Sequence, residues 1–191
     1  LMSKPKTIQE ITDKWHEVAR AGKFDHHEGR RAALDQCRQY LQSLSTSLDM
    51  ERARLRYLAQ RLSDHFWEHN KAHRTKETDG YPGHHGCRVR MLHGSLEMHW
   101  YYNTFVRVKN GKGHAVFSEH IRRALKHRYS KPAFNRAHDW ERPIIEETEA
   151  GFEIVRIMNA NLTHMRRLVR ANLKQLDSLE AHFDGLQPPE S

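Results

Sequence analysis

Positions 34, 37, 41, 44, 48, 51, 55, 58, 62, 65 and 69 step by three and four without a break. Their occupants are Leu34, Cys37, Leu41, Leu44, Leu48, Glu51, Leu55, Leu58, Leu62, His65 and His69. That is a heptad seam over about five repeats, apolar to Leu62 with one lapse at Glu51. No proline or glycine falls between Arg30 and Lys76, so the pattern predicts one long helix there. A second seam runs through Val155, Met158, Leu162, Met165, Val169, Asn172, Leu176, Leu179 and Phe183. It predicts another long helix over 139–183, with Asp139 as N-cap and Glu141 and Pro143 in the first turn. Asn172 either fixes register at some cost in stability or sits at the rim without effect. Cys37, on the first seam, reads as a small core residue.

Between the seams the periodicity changes from helical to alternating. The turn cluster TDGYPGHHG (78–86) closes the long helix. CRVRMLH (87–93) and LEMHWYYNTFVRV (96–108) then read as strands joined by a Gly94-Ser95 hairpin turn. KNGKG (109–113) makes a second turn, and HAVFS (114–118) a third strand, giving a meander over 87–118. A short amphipathic helix fits 7–21, with Ile8, Ile11, Trp15 and Val18 at helical spacing. The segment 119–138 reads as irregular or weakly helical, and GLQPPES as a frayed tail. The expected class is α+β: long antiparallel coiled-coil-like helices with a small three-stranded antiparallel meander, in one domain over 1–191. The helices would pair within one chain or between the chains of a homodimer.

With 37% apolar and 29% charged residues, such long amphipathic helices suit the composition better than a thick globule. No apolar run approaches the length of a membrane span. The opening LMSKPKTIQE lacks the apolar stretch of a signal peptide, and its Leu-Met reads as a cloning remnant. Two cysteines, Cys37 and Cys87, do not make a disulfide framework, so a reducing cytoplasm is the expected setting.

The positive charge is localised. From Gly86 to Arg136 there are eleven Lys/Arg against two acids, Glu97 and Glu119, while the rest of the chain is close to neutral. Segregation of this kind is the footprint of a polyanion-binding surface. The sixteen histidines would add to the field below about pH 6.5.

Within LEMHWYYNTFVRV, Leu96, Met98, Trp100, Tyr102, Val106 and Val108 point one way. Glu97, His99, Tyr101, Phe105 and Arg107 point the other. If the first set packs on the helices, His99, Tyr101 and Arg107 are outward, joined by Arg88 and Arg90, with Lys109 and Lys112 on the turn. The following HIRRALKHRYSKPAFNRAH has no acid from 120 to 138. It carries Arg122, Arg123, Lys126, Arg128, Lys131 and Arg136, interleaved with Tyr129 and Phe134. Cations neutralise phosphates, and aromatic and guanidinium planes stack on bases or insert at a groove. This predicts a nucleic-acid surface in which Arg88, Arg90, Arg107 or Asn103 reads bases and the cations at 122–136 hold phosphates.

Other chemistries fit less well. His84, His85 and Cys87, with His93 and His99 nearby, lack the spaced pairs of a structural zinc site, so neither a metal nor another cofactor is expected. His16, His65, His69 and His73 lie on helices, and Glu68 beside His69 does not form an HExxH motif. Tyr101 and Tyr102 lack the metal-holding histidine cluster that a strand-transfer nucleophile needs. No enzyme is expected. The competing reading is a coiled-coil scaffold whose basic sheet docks an acidic protein.

The order of features from Arg88 to Glu149 resembles the MobI family, auxiliary conjugative-transfer proteins of bacterial integrative elements and plasmids. The likeness lies in the strand ending in WYYN, the FSEHIRRALKHRYSKPAF block and the WERPIIEETE helix start. The positions that carry it are Arg88, Arg90, Trp100, Tyr101, Asn103, Ser118, Glu119, Arg122, Tyr129, Phe134, Trp140 and Glu141. The resemblance implies a non-catalytic DNA-binding relaxosome accessory in the bacterial cytoplasm. It would act at an origin of transfer beside a separate relaxase. Duplex DNA is the first expectation, with single strands left open.

Overall fold

A computed structural model describes residues 7–21, 26–74, 83–107 and 114–186. The elements follow in the order α1 (Ile8–Ala21), α2 (His26–Arg74), β1 (His85–Leu92), β2 (Ser95–Arg107), β3 (His114–His120) and α3 (Arg142–Asp184). One turn of 3-10 helix, Lys131–Phe134, interrupts the connector between β3 and α3. The class is α+β, as the periodicities predict. No described helix is long and apolar enough to cross a membrane.

The chain forms two compact units, to both of which α2 and α3 contribute. The first comprises residues 1–44 and 170–191. Here α1 starts with a capping box: the Glu10 amide donates to Thr7 Oγ1, and the Thr7 amide to Glu10 Oε2. Trp15 Nε1 donates to Gln36 on α2 at 3.0 Å. Arg38 bridges Asp177 and Glu180 of α3 at 2.9 and 2.6 Å. Cys37 is exposed and not a core residue, as is Asn172, whereas Leu34 and Leu176 are buried.

The second unit, residues 45–169, holds the sheet and most of the core. Its strands are ordered β1-β2-β3, all antiparallel. The first turn is His93-Gly94, one residue earlier than the Gly94-Ser95 expected from sequence. Leu92 pairs with Ser95, and φ is positive at both turn residues, 48° and 75°. That is the conformation a two-residue hairpin needs, and a histidine accepts it at the first position. Alternation holds along β2 as far as Trp100: Leu96, Met98 and Trp100 are buried against the helices, while Glu97 and His99 face outward. Beyond Tyr101 the phase shifts, so that Asn103 is buried and Val106, expected on the inner face, is 46% exposed. Trp100 meets Phe66 of α2 edge-on at 5.1 Å and Phe152 of α3 at 6.0 Å.

The helices depart from the expected seams in a regular way. On α2 the inward stripe of this unit is Leu48, Arg52, Leu55, Ala59, Ser63, Phe66 and Asn70. Leu48, Ala59 and Asn70 are eleven residues apart, as are Leu55 and Phe66. An 11-residue repeat follows a nearly straight helix, whereas a 7-residue repeat drifts about 20° per heptad. So beyond Leu55 the stripe leaves the heptad: Leu58 is 50% exposed while Ala59 is fully buried. On α3 the heptad persists through Thr148, Val155, Leu162 and Val169, all buried. Its second half-step is Ile145, Phe152, Asn159 and Arg166, and not Met158 and Met165, which are both 42% exposed. At Gly151 the helices approach closely; a Cβ there would lie 2.7 Å from Leu62 Cδ1.

One buried ion pair ties sheet, connector and α3 together. The Arg156 guanidinium donates to both Glu149 oxygens, at 2.8 and 3.1 Å, and both side chains are about 5% exposed. Glu149 also accepts from Trp100 Nε1 at 2.7 Å and from the Tyr129 amide at 2.8 Å. Arg156 further donates to the His127 and Met98 carbonyls. Removing one partner strands a buried charge. Glu149→Gln should therefore lose about 3–5 kcal/mol of stability, read as a lowered midpoint when urea unfolding is followed by tryptophan fluorescence.

Candidate nucleic-acid interface

The connector from 121 to 141 is held by its backbone and its aromatic side chains, and this decides where its cations go. The Ile121 amide donates to the Trp100 carbonyl at 3.0 Å, carrying the chain off β3 beside β2. The Trp100 amide donates to the Tyr129 hydroxyl at 3.5 Å, and the Tyr129 ring lies 5.2 Å from the Arg156 guanidinium. Phe134 packs on Trp100 at 5.3 Å and His85 at 5.8 Å. With carbonyls and rings turned inward, Arg122, Arg123, Lys126, Arg128, Lys131 and Arg136 are all exposed. Among the described residues, only Arg128 of these six is within ion-pair distance of a carboxylate, Glu153 at 3.6 Å.

The end of the connector is fixed by Glu141, fully buried just before α3. Its carboxylate accepts from the His138 amide at 3.1 Å and the His85 amide at 3.2 Å, and lies 3.6 Å from the His85 ring. Burial pushes the carboxyl's pKa up, but these partners, the His85 ring first, outweigh it and hold the group below its usual 4.5. Asp139, expected as the N-cap, lies instead in the turn ahead of the helix, within 3.5 Å of Arg142.

Arg142 is not among the residues expected from sequence. With Arg128 and Lys131 it stands round a cavity of about 250 Å³ that Tyr129, Phe134 and Ile145 also line. Two carboxylates line it too, of which Glu149 is neutralised by Arg156 while Glu146 is exposed. The one signal for Arg142 is its place before Pro143, which puts it in the first turn, against the connector.

The outer face of the sheet is less available than its sequence suggests. Glu97 takes Arg90 at 3.1 Å and the His99 ring at 2.9 Å, so Arg90 already has an anion and His99 a hydrogen-bond partner. The His99 hydrogen bond, then Arg90, holds Glu97 below the usual carboxylate range. Burial lowers the His99 pKa against the pull of Glu97, so its imidazole does not join the positive field near pH 6.5. Tyr101 lies across Gly86 of β1, with Arg88 5.6 Å from its ring centre. Arg88 is exposed.

Three expected contact residues move. Asn103 is 6% exposed and accepts from Ser118 Oγ at 2.7 Å, so it is a sheet-internal amide and not a base reader. Tyr129 is 2% exposed and belongs to the core. Arg136 stacks 4.8 Å over Tyr102, whose parity is that of the inner face. The connector from 129 to 136 therefore runs on the side of β2 opposite Arg88 and Arg90. The expected single surface is two, meeting where Arg122 and Arg123 leave β3. Arg107 ends β2; its side chain, together with Val108, Lys109 and Lys112, lies outside the described residues.

Among the described residues no group of three or more His, Cys, Asp or Glu side chains is arranged to hold a metal. Cys87 is buried 3.4 Å from Ser63 Oγ, and burial pushes its thiol up to about 12. A thiol buried and raised in this way is a core group and a poor nucleophile.

The family model of the MobI protein matches residues 55–170, more than half of the chain. The chain belongs to the MobI family. The match spans nearly all of the second unit, including the sheet, the connector and the Glu149–Arg156 pair. Neither the curated proteins nor the solved structures hold a match to the chain. Membership carries an accessory role in mobilisation and conjugation, in a family whose members are generally non-catalytic.

The Glu141 clasp gives this unit an acid-sensitive joint. A carboxyl whose folded pKa is depressed contributes stability above its unfolded value, near 4.5, and loses it as pH falls through the folded value. The thermal midpoint should therefore fall steeply below about pH 4.5. Glu141→Gln should start lower and show a flatter acid limb in melts taken across that range.

Proposed function

We propose that this MobI family member binds DNA at an origin of transfer as a non-catalytic accessory beside a separate relaxase. The observation that carries the reading is the connector: six exposed cations on an acid-free stretch whose backbone is pinned from within. Cations on a held backbone meet phosphates at little further cost in order, and each neutralised phosphate releases counterions. Arg128, Lys131 and Arg142 round their cavity form the densest seat for a phosphate. Such cations position the protein and read no sequence. With Asn103 internal and Arg90 held by Glu97, Arg88 is the outer-face cation best placed to touch a base edge. A bacterial cytoplasmic site of action follows from DNA as partner.

Fluorescence anisotropy on labelled duplex and single-stranded DNA, titrated from about 50 to 200 mM salt, tests this. Fragments from the transfer-origin region of the chain's own element should bind most tightly. Replacing Arg122, Arg123 and Lys126 with alanine should flatten the log–log salt slope by roughly 0.9 for each phosphate left without its cation. Reversing the three to glutamate should abolish binding, and no binding by the native chain at low salt would overturn the reading. A coiled-coil scaffold would tolerate the reversal and fail instead on Leu58→Glu. Leu55 and Leu162 cannot make that test, because both are buried and their replacement would unfold the unit.

A further inference from the structure

Besides its buried heptad, α3 carries a second stripe at the same step: Ile154, Ile157, Met158, Asn161, Met165 and Leu168. It faces outward. Ile154 is 60% exposed, Ile157 41%, Met158 42%, Met165 42% and Leu168 49%. The solvent face of an amphipathic helix is ordinarily charged. Here an apolar strip of about four turns is interrupted by the Asn161 amide and flanked by His164.

We propose that this stripe is the contact between two copies of the chain, paired as an antiparallel coiled coil with its two-fold axis at Asn161. A two-fold contact must match itself, residue i meeting j while j meets i, and the stripe does so at every position but Met158, which falls opposite the exposed His164. With the axis at Asn161, Ile154 lies opposite Leu168 and Ile157 opposite Met165, each a layer of two apolar side chains. The two Asn161 amides face each other, and each carries both a donor and an acceptor. A lone amide in an apolar seam sets register.

Charge selects the direction. On the N-terminal side of Asn161 the exposed or half-exposed charges near the stripe are Glu146, Glu147 and Glu153, the last also 3.6 Å from Arg128, and on the C-terminal side Arg167 and, paired with Asp49, Arg166. Antiparallel pairing brings Glu153 of one copy beside Arg167 of the other, on the same flank of the seam. Parallel pairing would set acid against acid and base against base. A dimer of this symmetry presents two copies of the connector, the arrangement that suits inverted half-sites on a duplex.

Sedimentation equilibrium of the native chain at tens of micromolar should give twice the chain mass of 22.6 kDa. Ile157→Glu with Met165→Glu should weaken association by at least about 30-fold, the effect of removing one interface hot spot. Its far-UV circular dichroism should stay native, because both positions are exposed. Direction is read by cysteine cross-linking in a Cys37→Ser background, where Cys87 is buried and its thiol is pushed up to about 12. Ile157→Cys mixed with Met165→Cys should cross-link, and neither should do so alone. A monomer at these concentrations, a dimer indifferent to the glutamates, or cross-linking of either single variant with itself would overturn the proposal. If the glutamate variant unfolds, the cysteine pattern decides.

Discussion

Glu149 sits where three parts of the second unit converge, and its two oxygens accept from all of them. Trp100 comes from the middle of β2, the Tyr129 amide from the connector, and Arg156 from two turns further along α3. A carboxylate in that position would be very costly alone. The bidentate guanidinium neutralises it, and its two terminal nitrogens also donate to the His127 and Met98 carbonyls. The connector, which has little regular structure of its own, thus gains fixed points at the His127 carbonyl and the Tyr129 amide. Glu141 does the same at the far end by collecting the amides of His85 and His138. Together the two buried glutamates replace the ladder of hydrogen bonds that a helix or strand would have provided.

Sequence shows whatever depends on parity and on turn residues. The side chains of β2 alternate as their order requires from Leu96 to Trp100, though not in its second half, where Asn103 is buried and Val106 exposed, and the class follows from long seams around an alternating block. The departures have one cause: a seam drawn from apolar residues equates apolarity with burial. Leu58, Met158 and Met165 are apolar and exposed, while Ala59, Ser63, Asn70, Thr148 and Arg156 are small or polar and buried. On α2 the true repeat of eleven is disguised because alanine, serine and asparagine occupy it. On α3 the inner half-step passes through Asn159 and through Arg166, which reaches Asp49 at 3.0 Å. Asn103 misleads in the same way, because its amide is used inside the sheet. The cations of the connector are legible because the stretch that carries them holds no acid from His120 to His138. Arg142 is not, because its nearness to Arg128 and Lys131 depends on how the connector folds back.

The two basic surfaces differ in a way that net charge conceals. On the outer sheet face one acid, Glu97, lies between a guanidinium and an imidazole and answers both. On the connector there is no acid from His120 to His138; of the acids close by, Glu141 and Glu149 are buried, Glu153 and Asp139 each engage one cation, Arg128 and Arg142, and Glu146 stands exposed at the cavity. A polyanion approaching the sheet would have to displace an internal anion before gaining contact. One approaching the connector displaces mainly counterions.

An irregular connector also suits cations better than a helix would. Helical geometry spreads successive residues by about 100°, so six cations over fifteen positions, Arg122 to Arg136, would point all round the axis and some would face the core. In the connector the backbone is turned so that carbonyls and rings look inward at chosen points, and the long side chains between them are exposed, even where Arg128 meets Glu153 and Arg136 covers Tyr102. The arrangement gives up regular hydrogen bonds, which is why buried charge is needed beneath it. An apolar core of equal volume would often match or exceed an ion pair in stability, but it has no donors or acceptors with which to hold an amide and two carbonyls in place. The Glu149–Arg156 pair is better understood as the device that positions the basic surface than as a source of net stability.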